Sequence, residues 1–266
     1  MLDILKSARN TFDKITILSN GTLINERNTN EIKKYVDVIS ISIDGFNKNN
    51  KTFIRDEWIY NKILETINIL KKNKINMHFI FTLSKLNFKY LKEYIKFSEK
   101  YKTPFNFSIL TVSKENNYKN IILNCNELQE ILLKNFSMIE NFKDFYISPE
   151  LLLRKDCGAG KTIFSLNEYG DLFPCHMLHF EEFKLGNVLY ENLKDIFNKK
   201  SIQKFLKLNV DDIECKNCEY KYFCGGGYRA RAFYVNKNIE TKDPYCSVYI
   251  NFYDKIFYEL SKAGEE

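Results

Sequence analysis

The sequence predicts an α/β fold: a parallel sheet of about four strands with outer helices, followed by a smaller α+β half of different character. Two observations in the first half carry this. Short β-branched or aromatic runs alternate with longer amphipathic stretches, and each run is apolar enough to be buried on both faces, as parallel strands are. The third is that cysteine, glycine and aromatic residues crowd into the second half.

The strands read as Lys14 to Ser19 (KITILS), Val38 to Ile43 (VISISI), Asn76 to Leu83 (NMHFIFTL) and Phe105 to Val112 (FNFSILTV). Between the second and third lies the clearest helix, Trp58 to Asn73, where Ile59, Ile63, Ile67 and Leu70 recur at helical spacing. Strand, helix and strand at these intervals make βαβ units. Ligands of such sheets gather at the carboxyl ends of the strands, which here carry Ser19-Asn20-Gly21, Ser42-Ile43-Asp44-Gly45 and Ser84 to Asn87. Turn chemistry explains the Asn-Gly and Asp-Gly pairs equally well, because both tolerate positive φ. A helical stretch, Glu127 to Phe142, leads to a boundary that divides the chain into 1–144 and 145–266.

The 266 residues are 44% hydrophobic and 28% charged, which excludes disorder as the dominant state. The net charge of +6 is spread along the chain, weak grounds for a nucleic-acid partner. No apolar run approaches the ~20 residues that span a bilayer, and MLDILKSARNTFDK mixes charges where a signal peptide keeps an apolar core. The expectation is a soluble cytosolic protein with no membrane partner.

Seven cysteines in a reducing compartment read as metal thiolates before disulfides. Six lie between 157 and 246: Cys157, Cys175, the run Cys215-x2-Cys218-x5-Cys224, and Cys246. A Cys-x2-Cys knuckle puts two sulfurs on one side of a tight loop, and two more complete a tetrahedral set around zinc or a cubane cluster. The later gaps suit a zinc ribbon poorly, and a metal-free set of buried thiols does not account for the knuckle. Cys125 stands outside the pattern and reads as an ordinary thiol.

These residues resemble a known family. CGAGKTIFSLNEYGDLFPCHML, LGNVLYENLKDIF, CKNCEYKYFCGGGYRARAF and DPYC are similar to the SPASM extension of radical SAM peptide-modifying enzymes. ITILSNGTLI, VISISIDG, FIRDE and IFTLSKLN are similar to later βα units of the radical SAM barrel. The resemblance implies an incomplete (β/α) barrel plus an iron-sulfur extension. It implies an outer auxiliary [4Fe-4S] cluster on Cys215, Cys218, Cys224 and Cys246, and an inner one on Cys157 and Cys175. The inner cluster's third ligand falls at Tyr228, so that site is short of a thiolate unless His176 or His179 supplies it. By the same resemblance, Ser42 and Asp44 match ribose-contacting positions for S-adenosylmethionine, and Arg55 an arginine near that cosubstrate. A strand end and a surface ion pair are the bland alternatives for these three.

The family's reaction centre is a Cys-x3-Cys-x2-Cys loop after the first barrel strand, and the first cysteine here is Cys125. The Gly-Gly-Glu-Pro segment expected after the second strand is absent too. The resemblance therefore places the family's first strands before Met1 or among lost segments, at least one βα unit of about 30 residues. The implied function is the C-terminal part of an enzyme that modifies ribosomally made peptides or proteins. It would be inactive alone and would use S-adenosylmethionine only if the missing part, such as a separate polypeptide with the absent strands, were supplied. The alternatives are a non-catalytic [4Fe-4S] protein that binds a peptide or partner and a zinc-stabilised interaction module.

Overall fold

A computed structural model describes residues 1–45, 58–111, 116–134 and 153–263. They fall into two units, one built on Met1–Leu110 and the other on residues 124–134 and 153–263.

The first unit runs α1 (Leu2–Arg9), β1 (Thr16–Ser19), α2 (Glu26–Ile32), β2 (Val38–Ile43), α3 (Trp58–Lys72), β3 (Met77–Leu83), α4 (Leu91–Tyr101) and β4 (Phe105–Ile109). The strands lie side by side in chain order and every neighbouring pair is parallel. The expected α/β class and its four strands hold, with β1 and β4 shorter than their apolar runs. Asn25 starts α2 through a capping box with Asn28. Arg9 donates to the Asp37 carboxylate, which also accepts from the Ile15 backbone N–H, so α1 is pinned to the entry of β1 and β2.

Burial on both faces holds only in part: the second face buries Ser40 and Asn106 and leaves most of its other residues half-buried. Ile39, Ile41 and Ile43, then Phe79, Phe81 and Leu83, then Phe107 and Ile109 are buried on one face. Ile63, Ile67 and Leu70 of α3 and Leu91, Tyr94 and Phe97 of α4 are buried with them, and the rings of Phe81 and Tyr94 meet at 4.5 Å. The alternate residues form largely polar rows across the strands, broken by Leu18 and Ile80: Leu18, Ser40 and His78; Ser42, Ile80 and Asn106; Thr82 and Ser108. An 830 Å³ cavity runs along that face past Ser40, His78, Ile80 and Asn106. The sequence missed this because serine and threonine pass unnoticed between β-branched neighbours, although they occupy every second position.

The second unit contains α5 (Cys125–Lys134), an antiparallel sheet of β5 (Ser165–Leu166), β6 (Asp171–Phe173) and β7 (Gly186–Asn187), and the helices α6 (Leu193–Asn198), α7 (Lys200–Lys207), α8 (Lys221–Cys224), α9 (Arg229–Asn236) and α10 (Cys246–Ala263). Its core gathers Leu172, Leu178, Phe183, Leu185, Ile196, Ile202, Phe205 and Phe233. Helix α5 packs on α10, with Asn251 donating to Gln129. Among the described residues no helix is long and apolar enough to cross a membrane.

Candidate metal centre

Four cysteines from three separate elements line one cavity, together with Gly226, Gly227, Asp243 and Tyr249. Cys215 sits in a single 3-10 turn, Glu214–Asn217, and the Cys218 N–H donates back to its carbonyl at 2.9 Å, which closes the knuckle. Cys224 ends α8, and Cys246 opens α10. Beside them, a 320 Å³ pocket is lined by Cys215, Cys218, Cys246, Tyr220 and Lys242. None of the seven cysteines, all among the described residues, is in a disulfide.

The loop after Cys224 explains how these elements close on one another. Gly225, Gly226 and Gly227 all have positive φ, at 62°, 80° and 70°. A Cβ at Gly225 would come within 2.7 Å of the Asp156 carbonyl, and one at Gly227 within 2.6 Å of the Asp243 carboxylate. The turn frees the Gly226 N–H, which donates to Cys224 Sγ at 3.3 Å.

Asp243 then ties the other side. Its carboxylate accepts from the Tyr228 N–H at 2.6 Å and the Tyr245 N–H at 2.8 Å, and its carbonyl accepts from the Cys246 N–H at 2.9 Å. Arg231 meets the same carboxylate at 2.9 Å and reaches Tyr249 Oη at 2.7 Å, while its guanidinium lies 4.4 Å from the Tyr228 ring and 4.8 Å from the Tyr245 ring. Arg231 and Asp243 are both buried. Arg229, buried as well, donates to the carbonyls of Ile239 at 2.8 Å, Thr241 at 2.7 Å, and Gly226.

The electrostatics favour a cationic occupant. Burial pushes the Cys224 thiol up to about 12, against the pull of the Gly226 N–H, and repulsion from Cys215, Cys218 and Cys246 adds to it. Burial likewise takes Cys246 to about 11 and raises Cys215, which the charge of Arg229 draws back. Four thiolates in one buried cavity need compensation, and a metal centre supplies it. The surroundings fit such a centre: an N–H is already aimed at a sulfur. Among the described residues no three His, Cys, Asp or Glu side chains stand close enough together to hold a single metal ion. One tetrahedral zinc draws its thiolates to within about 4 Å of each other, whereas a cubane spreads them around a larger body.

The inner pair is less provided for. Cys157 raises the Cys175 thiol by repulsion, after burial, and the Met177 N–H donates to Cys175 Sγ at 3.5 Å. His176 is exposed, with Nδ1 3.7 Å from Cys175 Sγ. His179 is engaged elsewhere, at 2.9 Å from Ser165 Oγ and stacked 4.4 Å from the Phe173 ring. Tyr228 gives its ring to Arg231. Cys125 opens α5 and donates to the Pro244 carbonyl at 3.2 Å, two residues before Cys246.

In the first unit, Ser42 lies near the end of β2 and Asp44 directly follows it. The Asp44 carbonyl accepts from Asn87 at 2.9 Å and from Tyr94 Oη at 3.2 Å, so the turn after β2 is fixed by the segment after β3. Arg55 lies outside the described residues. Sequence reasoning missed Tyr94, Arg229, Arg231 and Asp243. The last three stand inside runs that were read for their cysteines, and a buried Arg–Asp pair separated by eleven residues leaves no periodic signal.

Comparison with known proteins agrees with this layout. The Radical SAM superfamily profile matches residues 1–98, and that of the SPASM iron-sulfur cluster-binding domain matches residues 157–219. Over these stretches the chain carries a radical SAM region and a SPASM region, and it is similar to the anaerobic sulfatase-maturating enzymes. The cysteine-type anaerobic sulfatase-maturating enzyme of Clostridium novyi is 23% identical over 274 residues, which cover 94% of this chain and 73% of that protein. The subtilosin biosynthesis protein AlbA of Bacillus subtilis is 23% identical over 85% of this chain and 53% of its own length. Among solved structures, the fold matches anSMEcpe with bound AdoMet at a TM-score of 0.75, with 19% identity over 94% of this chain and 71% of that one. It matches Streptococcus suis SuiB bound to the precursor peptide SuiA at 0.65, with 18% identity over 91% and 60%. The SPASM match takes in Cys157, Cys175, Cys215 and Cys218 and ends before Cys224 and Cys246.

Proposed function

We propose that Cys215, Cys218, Cys224 and Cys246 hold an auxiliary [4Fe-4S] cluster, and that this chain serves peptide modification of the kind its relatives' names describe. The observation that carries the reading is that all four cysteines line one cavity. The Gly226 N–H and the Arg229 charge are placed to stabilise thiolates there. When bound, such a cluster supplies a route for electrons or an anchor for a substrate peptide. Cys157 and Cys175 form a second, weaker site. Ser42 and Asp44, with Arg55, belong to a site for the nucleoside of S-adenosylmethionine at the carboxyl end of β2, where Asn87 and Tyr94 hold the Asp44 carbonyl.

Anaerobic reconstitution with iron and sulfide tests the cluster. About four irons should load at the outer cysteines, and colourless protein containing zinc instead would overturn the assignment.

These 266 residues contain no cysteine before Cys125. We therefore propose that they do not by themselves cleave S-adenosylmethionine, because a cluster held by four cysteines has no open iron position for the cosubstrate. This same lack favours, as a second reading, a non-catalytic iron-sulfur protein that binds a peptide or partner. Chromatography for 5′-deoxyadenosine after incubation with dithionite decides it. Product above the protein-free control would overturn the ligand argument, and product that appears only with an added polypeptide bearing the triad would make the chain one part of a split enzyme.

A further inference from the structure

The 830 Å³ groove on the polar face of the first unit's sheet crosses the amino ends of all four strands. Thr16 opens β1, Val38 opens β2, Met77 opens β3 and Pro104 precedes β4, all at the end opposite Ser42 and Asp44. Neighbouring strands lie about 4.8 Å apart, so the floor from β1 to β4 measures about 14 Å, the length of roughly four extended residues. That floor is polar and buried. Ser40 is 5% exposed and its hydroxyl has no hydrogen-bond partner among the described residues; Asn106, 9% exposed, donates only to the adjacent Phe107 carbonyl at 3.3 Å. Buried groups of this kind call for a partner in the groove.

The rim carries one sign of charge. Lys14, Lys71, Lys74 and Lys102 line it, all exposed, and no carboxylate does among the described residues. Lys6, Arg9, Lys34, Lys62 and Lys72 of the same unit each pair with a carboxylate, and none of those five lines the groove. The four lining lysines make no ion pair among the described residues. The charge of Asp37 reaches Lys14, but that carboxylate is held by Arg9 and the Ile15 N–H. Lys74 and Lys102, which follow α3 and α4, stand at φ 56° and 51°, left-handed positions that glycine or asparagine fills at least cost.

We propose that this groove binds an acidic peptide segment, with its carboxylates on the four lysines and its amides on Ser40 and Asn106. The proposal deepens the peptide reading above and rests on it for the class of substrate. A nucleic-acid strand matches the charge but needs aromatic rings to stack on. Tyr101, the one Phe, Tyr or Trp lining the groove among the described residues, has its ring packed against Phe97 at 4.8 Å and Phe79 at 6.2 Å.

The test uses the full chain, reconstituted with iron and sulfide, and reads the fluorescence anisotropy of a short labelled peptide rich in glutamate against its glutamine counterpart. The glutamate peptide should bind about ten-fold more tightly, with the advantage fading as salt is raised. Lys74→Glu combined with Lys102→Glu should abolish that preference. Lys194→Glu combined with Lys200→Glu, the same change of net charge at exposed lysines of the second unit, should keep it. Ser40→Ala should weaken both peptides by about three-fold and leave the preference in place. Equal losses in the two double variants, or a Ser40→Ala chain as tight as the parent, overturn the groove. So does a single-stranded oligonucleotide that displaces the glutamate peptide at lower concentration than unlabelled peptide does. If both peptides bind alike, this assignment falls alone; if neither binds, the peptide reading falls with it.

Discussion

The outer and inner cysteine sets share one small unit and differ in everything that surrounds the sulfur. The outer set takes four cysteines from three elements, and a glycine turn, a buried Arg–Asp pair and a second buried arginine hold those elements in place. Cys175 accepts from the Met177 backbone N–H, and the position where a third thiolate belongs by family resemblance holds Tyr228, whose ring is committed to Arg231. The lesson is that a cluster site is a property of the loops more than of the cysteines. On the proposed reading, the set with locked loops has its four ligands, and where the inner set lacks one its place serves the neighbouring scaffold.

The strongest way to break this comparison is to remove one thiolate from each set. Cys218→Ala should lose most of about four irons, while Cys157→Ala should lose little, with iron and sulfide counts on reconstituted protein as the measure. Equal losses would mean that the two sets are equivalent and that the scaffold does not matter.

The scaffold itself is tested next. Asp243→Ala leaves Arg231 buried without its carboxylate and strips the acceptor from the Tyr228 and Tyr245 N–H groups. Breaking a buried pair in this way costs about 3–5 kcal/mol, to be read from urea unfolding of the metal-free chain. A cost under about 1 kcal/mol, typical of an exposed pair, would show that the pair does not hold the turn.

Much of this was legible from sequence, for reasons that differ by region. The four strands announced themselves because β-branched and aromatic runs are long enough to count, and the cysteine knuckle because its spacing is local. Which strand face was polar depended on Ser40, Ser42, Thr82 and Ser108, each unremarkable alone and meaningful only once the parallel register places them in rows. Asp243 and Arg231 were invisible as a pair, since nothing local relates residues twelve apart across the end of a helix and a loop. The Gly225-Gly226-Gly227 run was legible as a turn but not as a clamp, because the atoms that exclude a side chain there come from Asp156 and Asp243.

Tyr228→Cys sharpens the contrast from the other side, since it adds the thiolate the inner set lacks and removes a ring from Arg231. Iron content should rise, and the metal-free chain should lose about 1–2 kcal/mol from the desolvated cation–π contact. Iron unchanged in this variant, together with no effect of Cys157→Ala, would show that the inner site is wrongly mapped.

The smallest effect concerns the sheet whose central strand, β6, leads to Cys175 two residues on. Asp171 opens β6, accepts from Asn167 at 3.1 Å and Asn187 at 2.8 Å, and pairs with Lys184 at 2.7 Å. Lys184 first, then Asn187 and Asn167, hold its carboxyl down at about 2, from an ordinary 3.8. A carboxyl whose folded pKa is depressed stabilises the fold fully above its unfolded pKa and loses that contribution as pH falls through the folded one. For Asp171 the window therefore runs from about pH 4 down to about pH 2. Asp171→Asn keeps the shape and removes the titration, so the metal-free parent should be the more stable of the two at pH 5 and the gap should close towards pH 2. Urea midpoints at several pH values measure it, and parallel curves for the two proteins would mean that the carboxylate's partners do nothing for this sheet.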